Sequence, residues 1–191
     1  TTFAFGQSNE QGTIQLGLGW GMMLGGASIE STYTDFNDEK VTSKSSGVGA
    51  LVNYGIRAQY GITELISAGI FVRKEGAVYV VTPDDFESES FDMSVSTFAF
   101  GIEPKVYLVN NDKFNLNVAP SIGFSTGSTE VIDFGFTTEG SASGLNYGFT
   151  TGINWYFANM FGMSADLGYA GNSLSGSFDD AEDFEYKIKG G

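Results

Sequence analysis

Five charged residues stand inside stretches that otherwise alternate apolar and small side chains: Arg57, Arg73, Glu103, Lys105 and Asp166. They share the face of their predicted strands that lies opposite the apolar face. Buried charges are costly unless they are paired, so we expect these residues to form a lumen charge network. Such a network fills the interior as a structural plug, forms a small ion or proton path through the lumen, or acts as a gate whose salt bridges exchange partners.

A second candidate site is an acidic run near the end of the chain. It offers hard oxygen ligands to a divalent cation, at Asp179, Asp180, Glu182 and Asp183. The run lacks the EF-hand spacing with its glycine and closing glutamate. Acidic runs are also typical of solvated loops, and most of the 23 acidic residues lie in predicted long loops. Divalent cations at the loops are therefore one of two interpretations, and the sequence leaves metal binding unknown.

The chain has no histidine and no cysteine. The missing histidine removes the commonest general base and the commonest transition-metal ligand. Two carboxylates can work as acid and base, but nothing in the sequence fixes a pair at a useful distance. We therefore predict a protein that is not an enzyme and that needs no cofactor. The net charge of −14 argues against a nucleic-acid partner, because phosphate binding needs a basic patch.

The elements that position these groups are β-strands, because apolar residues recur at every second position. Around QLGLGWGMML, the large residues from Ile14 to Met22 share one face, while Thr13, Gln15 and three glycines share the other. The pattern recurs six more times, and it predicts strands at 47–60, 65–75, 97–108, 114–126, 144–157 and 161–170. We expect the apolar face of all seven strands to carry no charge.

These strands predict an all-β protein, an antiparallel up-and-down transmembrane β-barrel whose apolar face meets lipid. A soluble strand would solvate its other face with Lys, Glu and Arg, and here that face is mostly glycine and small polar residues. The sequence contains no run of about 18 apolar residues, so it predicts no transmembrane helix. A soluble lipocalin-like binding barrel is the alternative, and it requires the apolar face to point inward.

The predicted connections alternate between short and long. Short ones fall at 61–64, 109–113 and 158–160, and long polar ones at 28–45, 76–94, 127–142 and 171–183. This alternation is the plan of an outer-membrane barrel, which closes with an even number of strands. We therefore expect eight strands, with the eighth beginning near Phe184 and incomplete at Gly191, as in a fragment that lacks most of its closing strand.

Two further features concern the ends and the middle of the strands. Aromatic residues near the short connections predict a girdle at the level of the lipid headgroups, at Tyr60, Phe114, Trp155, Phe157 and Phe161. Pro104 and Pro120 fall on the apolar faces of neighbouring strands, and each lacks a ladder donor. We expect a bulge or a gap in the sheet at that level.

The first residues, TTFAFGQ, have small residues at alternate positions after an apolar stretch. This pattern is typical of the end of a secretory signal peptide, although an ordinary frayed terminus is the alternative. We therefore divide the chain into a signal-peptide remnant at 1–7 and one outer-membrane β-barrel domain at 8–191.

Segments such as NYGIR at 53–57 and GIEPKVY at 101–107 resemble the small eight-stranded outer-membrane barrels of Gram-negative bacteria. This is the OmpA/OmpX-like group, which includes the outer membrane protein beta-barrel domain family. The resemblance covers about residues 12–189 and implies a location in the outer membrane, in contact with its lipid. The family ends in a strand with a terminal aromatic residue, which this sequence lacks.

The function that we predict from these features is a structural or surface-interaction role through acidic extracellular loops. Other envelope proteins are expected partners. The alternative is a small-solute or ion channel through a polar lumen. A continuous water path past the five charged residues would favour the channel.

Overall fold

The computed structural model describes residues 2–5, 9–34, 39–83, 90–133, 136–158, 161–178 and 181–191. Over these residues, no helix is long and apolar enough to cross a bilayer. The described residues form ten β-strands: β1 (Thr2–Phe5), β2 (Ile14–Thr34), β3 (Lys40–Thr63), β4 (Ile66–Pro83), β5 (Phe91–Ile102), β6 (Lys105–Asn110), β7 (Phe114–Asp133), β8 (Phe136–Ala158), β9 (Phe161–Phe178) and β10 (Ala181–Gly190).

These strands form one antiparallel sheet that closes on itself. The order around the ring is β2, β3, β4, then β5 with β6, then β7, β8, β9, and last β10 with β1. β5 and β6 share one position between β4 and β7. β10 closes the ring because it pairs with both β9 and β2. The predicted fold class, an antiparallel up-and-down barrel with eight strand positions, is confirmed.

The barrel has two ends, which we name by their connections. The turn end carries the connections after β3, β6 and β8, and the loop end carries those after β2, β4, β7 and β9.

Two segments, β10 and β1, share the eighth strand position of the barrel. On β2, Ala27 pairs with Gly190 and Gly19 pairs with Thr2, and the corresponding partners on β9 are also eight residues apart. β10 and β1 therefore follow one register. The assignment of residues 1–7 to a signal peptide stays a prediction.

The strands continue further toward the loop end than the sequence pattern indicated. β2 ends at Thr34, β4 at Pro83 and β9 at Phe178, whereas long loops were expected from 28, 76 and 171. The predicted extent of all four long loops is therefore wrong. Backbone ladders continue whatever the polarity of the side chains, so a change from apolar to polar residues does not end a strand. Several acidic residues within these predicted loops lie on strands instead: Glu30, Asp92, Glu130 and Glu139.

The expected gap at the two prolines is confirmed: pairing with β7 stops after Ile102 and resumes at Val106. The break between β5 and β6 contains Pro104. β5 and β6 pair with β7 in one register, which places Pro104 opposite Pro120. Since neither residue has an amide hydrogen, both missing donors fall at the same place. β7 itself remains continuous, with Pro120 opposite Phe149 of β8.

The apolar faces of the strands point out of the barrel and form a continuous lipid-facing belt. Exposure reaches 57% for Trp20, 84% for Leu24 and 78% for Leu167. A soluble barrel would turn these side chains inward, so the lipocalin-like alternative is wrong. The belt also includes Ile14, Leu16, Leu18, Val52, Tyr54, Ile56, Ile70, Phe98, Phe100, Ile122, Phe124, Leu145, Phe149, Ile153 and Tyr169.

One residue contradicts the expectation that the apolar faces carry no charge. Lys74 is exposed on the outside of β4, opposite Tyr54 of β3 and Phe98 of β5. Phe98 is the last large apolar residue on the outer face of β5 toward the loop end, because Ser96, Ser94 and Asp92 follow. On β4 itself the exposed Val78 and Val80 follow toward the loop end, so Lys74 interrupts the belt near its upper part, and its long side chain can extend toward the headgroups.

The interior near the loop end is filled by apolar side chains, which we call the apolar plug. Its members come from β2, β3, β4, β5, β8, β9 and β10: Ala27, Ile29, Leu51, Ala77, Tyr79, Val81, Met93, Val95, Ala142, Leu174, Tyr186 and Ile188. On the outer face at the same levels, most strands carry Ser, Thr and charged residues, whereas β4 keeps the exposed Val78 and Val80. This end of the barrel therefore resembles a soluble protein, with a dry core and a polar surface.

Candidate functional site

The middle of the lumen holds the charged residues that the sequence singled out. They project inward from β3, β4, the junction of β5 with β6, and β9. Glycines make room for the longest of them. Gly17 stands beside Arg57 on the neighbouring strand, Gly55 beside Arg73, and Gly152 beside Asp166. The small residues between the bulky ones thus leave volume for charged side chains that cross the lumen.

The first of two clusters centres on Glu103. Its carboxylate lies 3.4 Å from Arg57 Nη1 and 3.7 Å from Lys105 Nζ. Arg57 Nη1 also donates to Asp166 Oδ2 at 3.3 Å. Gln59 Nε2 donates to the backbone oxygen of Glu103 at 3.0 Å and approaches its carboxylate at 3.4 Å. Glu103 and Lys105 are each only 4% exposed, so both charges depend on these partners.

The second cluster joins Arg73 to Glu75 on the same strand. Arg73 Nε donates to Glu75 Oε1 at 2.5 Å, and its Nη2 donates to Asn146 Oδ1 at 2.5 Å. The Glu75 carboxylate also accepts from Thr97 at 3.3 Å and from Asn146 and Asn172 at 3.4 Å. The guanidinium carbon of Arg73 lies 4.6 Å from the ring centre of Phe71.

These two clusters balance in charge. Together they contain three cations (Arg57, Arg73, Lys105) and three carboxylates (Glu75, Glu103, Asp166). A cavity of about 300 Å³ lies between them and is lined by residues of both clusters. Each carboxylate already has a cationic partner within 4 Å, so the arrangement can hold water or a small polar solute but offers no unpaired acid or base.

A layer of amides and phenols lies below these clusters, toward the turn end. Asn115 Nδ2 donates to the Tyr156 hydroxyl at 2.9 Å, and Asn154 Nδ2 donates to Asn115 Oδ1 at 2.6 Å. Tyr107 is 2% exposed, and its hydroxyl contacts Ser67 and Gln15. These side chains fill the barrel cross-section beneath the charged middle.

The segment before β2 folds across the mouth at the turn end. Asn9 is 1% exposed, and its Nδ2 donates to the backbone oxygen of Thr63 at 2.5 Å. Asn110 Nδ2 donates back to the oxygen of Asn9 at 2.6 Å. Gly12 has φ of 87°, which lets the chain turn tightly before β2 begins. We call this arrangement the Asn9 cap.

The structure brings all five residues of the proposed lumen network into the barrel interior, and it adds one that the sequence reasoning missed. Glu75 is the last residue of the predicted strand 65–75 and is not among the five predicted lumen charges, although it is the partner of Arg73. The signal was present in the sequence: positions 71, 73, 75, 77 and 79 keep the inward alternation.

The other proposed sites have mixed outcomes. The five girdle aromatics are exposed on the outer surface near the turn end, between 44% and 59%, and their contact with headgroups stays a prediction. In the acidic run, Asp179 and Asp180 and the side chains of Glu182 and Asp183 lie outside the described residues. Among the residues that are described, no group of three or more potential metal ligands occurs.

No family model and no curated protein sequence matches the chain. A solved structure to which it is similar is the crystal structure of Ail, the attachment invasion locus protein of Yersinia pestis. The match has 13% sequence identity and a TM-score of 0.31, and it covers 90% of this chain and 94% of that one.

Proposed function

We propose that this protein is a non-enzymatic outer-membrane barrel of a Gram-negative bacterium that acts through the outer surface of its loop end. The observation that carries the proposal is a lumen filled at both ends inside a lipid-facing belt. The apolar plug fills one end, and the Asn9 cap with the amide and phenol layer fills the other. A barrel filled in this way leaves its outer surface as the place of contact with other molecules.

The direction of insertion follows from the two ends. In outer-membrane barrels the short turns face the periplasm and the longer connections face outward. The loop end, with its strands extending above the belt, then stands at the cell surface. Other envelope proteins are the partners that we propose for it, and divalent cations remain proposed partners of its acidic connections.

A non-enzymatic role fits the chemistry of the middle of the lumen. Its carboxylates are held by cations and amides, and the sequence contains no histidine. A general base must lie within reach of a substrate, whereas Glu75 and Glu103 are each only 4% exposed.

A small-solute or ion channel is the second candidate, and the polar cavity is the observation that favours it. Arg57 and Arg73 line this cavity, and their side chains are 26% and 18% exposed. Conduction would require the apolar plug to move, since Val81 is 0% exposed and Met93 and Leu174 are each 2% exposed. A static plug of this kind excludes hydrated ions.

The decisive experiment measures insertion and conductance on the same preparation. Folded protein should need detergent or lipid for solubility, and its gel mobility should shift on heating. In planar bilayers we expect no unitary conductance from wild type. We expect none from Met93→Ala/Leu174→Ala either, because thinning the apolar plug leaves the Asn9 cap and the amide and phenol layer in place at the turn end. Steps of conductance from wild type would overturn the closed-lumen proposal in favour of the channel. A chain that is β-rich and monomeric without detergent would overturn the membrane location.

A further inference from the structure

The outer surface of the barrel differs in charge from one side to the other just above the belt. Two rungs cross β3, β2, β10 and β9 at this level. The lower rung carries Ser46, Ser28, Lys189 and Ser173, and the upper rung carries Lys44, Glu30, Lys187 and Ser175. We call these eight residues the basic face. It holds three lysines and one carboxylate in a chain whose net charge is −14.

The opposite side of the barrel has no such cations. On the outer faces of β7 and β8, Glu130 stands directly opposite Glu139, and the rungs below carry Ser and Thr. Within the described outer faces of β5, β7, β8 and β9, acidic residues are present and lysine is absent. The positive charge of the basic face is therefore a local feature of one side.

The basic face lies directly above apolar side chains. Val48 of β3 is 72% exposed and stands one outward position below Ser46. Leu24 of β2 is 84% exposed and belongs to the belt beneath Ser28. An acyl chain that packs on the belt here would place its headgroup at the level of the lysines.

The spacing of the three lysines suits one phosphate-bearing headgroup. Lys187 and Lys189 are two residues apart on one face of β10, about 7 Å along the strand. Lys44 lies two strands away on the rung of Lys187, about 10 Å across the sheet. Lysine side chains have the reach to converge from these positions on a phosphate, and the serines between them offer hydroxyl donors to sugar oxygens.

Cross-strand pairing with Glu30 explains only part of this arrangement. Glu30 stands between Lys187 and Lys44 and can neutralise one of them, and Glu185 is a second carboxylate one outward position beyond Lys187 on β10. The neighbours of Lys189 on its own rung are Ser28 and Ser173, and Lys189 is the lysine of the basic face closest to the belt. Lys189 therefore lies at the level at which we expect the headgroup phosphates.

We propose that the basic face is a docking site for a phosphorylated glycolipid of the outer leaflet, with its acyl chains on the belt and its phosphate at Lys189, Lys187 and Lys44. The inference rests on the proposed outer-membrane location. It adds a lipid partner and names the side of the barrel that binds it. The glycolipid is recognised by phosphate charge and sugar hydroxyls, so removal of its phosphates should remove most of the affinity.

The test titrates detergent-solubilised protein with a bisphosphorylated lipid A and measures the bound fraction by native mass spectrometry. The same glycolipid without its phosphates serves as the second probe. We expect the phosphorylated form to bind more tightly, and each lysine near an anionic headgroup to contribute about fivefold in affinity. Lys187→Gln/Lys189→Gln should therefore weaken binding by about 25-fold.

The matched control is Lys113→Gln, which removes an exposed lysine at the turn end and should leave affinity unchanged. All variants must keep the heat-dependent gel shift of wild type, which tests the fold and the membrane location separately. Equal affinity of wild type for the two probes, equal affinity of wild type and the double variant, or no binding by wild type would overturn the docking site. If the heat-dependent shift persists in such a case, the proposed function is retained and only this inference fails.

Discussion

Replacing Glu103 with glutamine should destabilise the barrel through the lysine that it leaves behind. Lys105 is 4% exposed, and the carboxylate of Glu103 lies 3.7 Å from its ammonium. Arg57 keeps Asp166 at 3.3 Å, so the loss falls mainly on Lys105. Removal of one partner from a buried ion pair costs about 3–5 kcal/mol, and the amide that replaces the carboxylate keeps the volume, which places the expected loss near 3 kcal/mol.

A second substitution separates the orphaned charge from other causes of instability. In Glu103→Gln/Lys105→Met the buried ammonium is gone, and apolar replacement of a buried ion pair is often close to neutral. We expect the double variant to recover most of the loss, to within about 1 kcal/mol of wild type. Lys105→Met alone should cost less than Glu103→Gln, because Glu103 keeps Arg57 at 3.4 Å.

The assay is reversible urea unfolding in detergent micelles, followed by tryptophan fluorescence, with the free energy of unfolding taken from linear extrapolation. Asp112→Asn, on an exposed turn, is the matched control and should stay within about 0.5 kcal/mol of wild type. A double variant as unstable as Glu103→Gln alone would refute the reasoning, since the instability could not then come from the orphaned lysine.

Three further predictions test other layers of the barrel by the same assay. Asn9→Ala should cost about 1–3 kcal/mol, because it leaves the carbonyl of Thr63 without its 2.5 Å donor; no loss would show that the Asn9 cap does not close the mouth. Gly101→Val should prevent folding, because a Cβ at Gly101 would overlap the backbone of Ile122. Gly76→Ala should fold, because its Cβ meets only Val52, at 3.9 Å. A folded Gly101→Val would contradict the register of β5 with β7 at this point. Lys74→Leu should change stability by at most about 1 kcal/mol, because the long lysine side chain can extend to the headgroups. A gain of about 2–4 kcal/mol would show that its charge lies near the bilayer midplane instead.

Sequence reasoning found the barrel and its lumen charges because both depend on the period of two. Within the belt, the alternation is regular: Leu16, Leu18 and Trp20 point out, and the glycines between them point in. Arg57 and Asp166 were placed correctly because a charge at an inward position of such a strand can only enter the lumen. The partners across the lumen were not predictable, since they depend on the register between strands far apart in the chain.

The strand ends were missed because the apolar residues change from outward to inward positions at the top of the belt. We call this the change of phase. In β2 the even positions are apolar up to Leu24, and then the odd positions Ala27 and Ile29 are buried. In β9 the odd positions are apolar up to Tyr169, and then Leu174 at an even position enters the apolar plug. A search for one continuous apolar face stops at this change, although the strand itself continues.

This change of phase separates two solvents along one strand. Below it, lipid surrounds the barrel and the polar groups turn inward, where Glu75, Glu103 and their partners satisfy one another. Above it, water surrounds the barrel, so the apolar groups turn inward and the outer face becomes polar. The apolar plug is therefore a consequence of strands that continue past the bilayer. It forms where Val81, Met93 and Leu174 meet, and the same extension that carries the basic face also closes the lumen at the loop end.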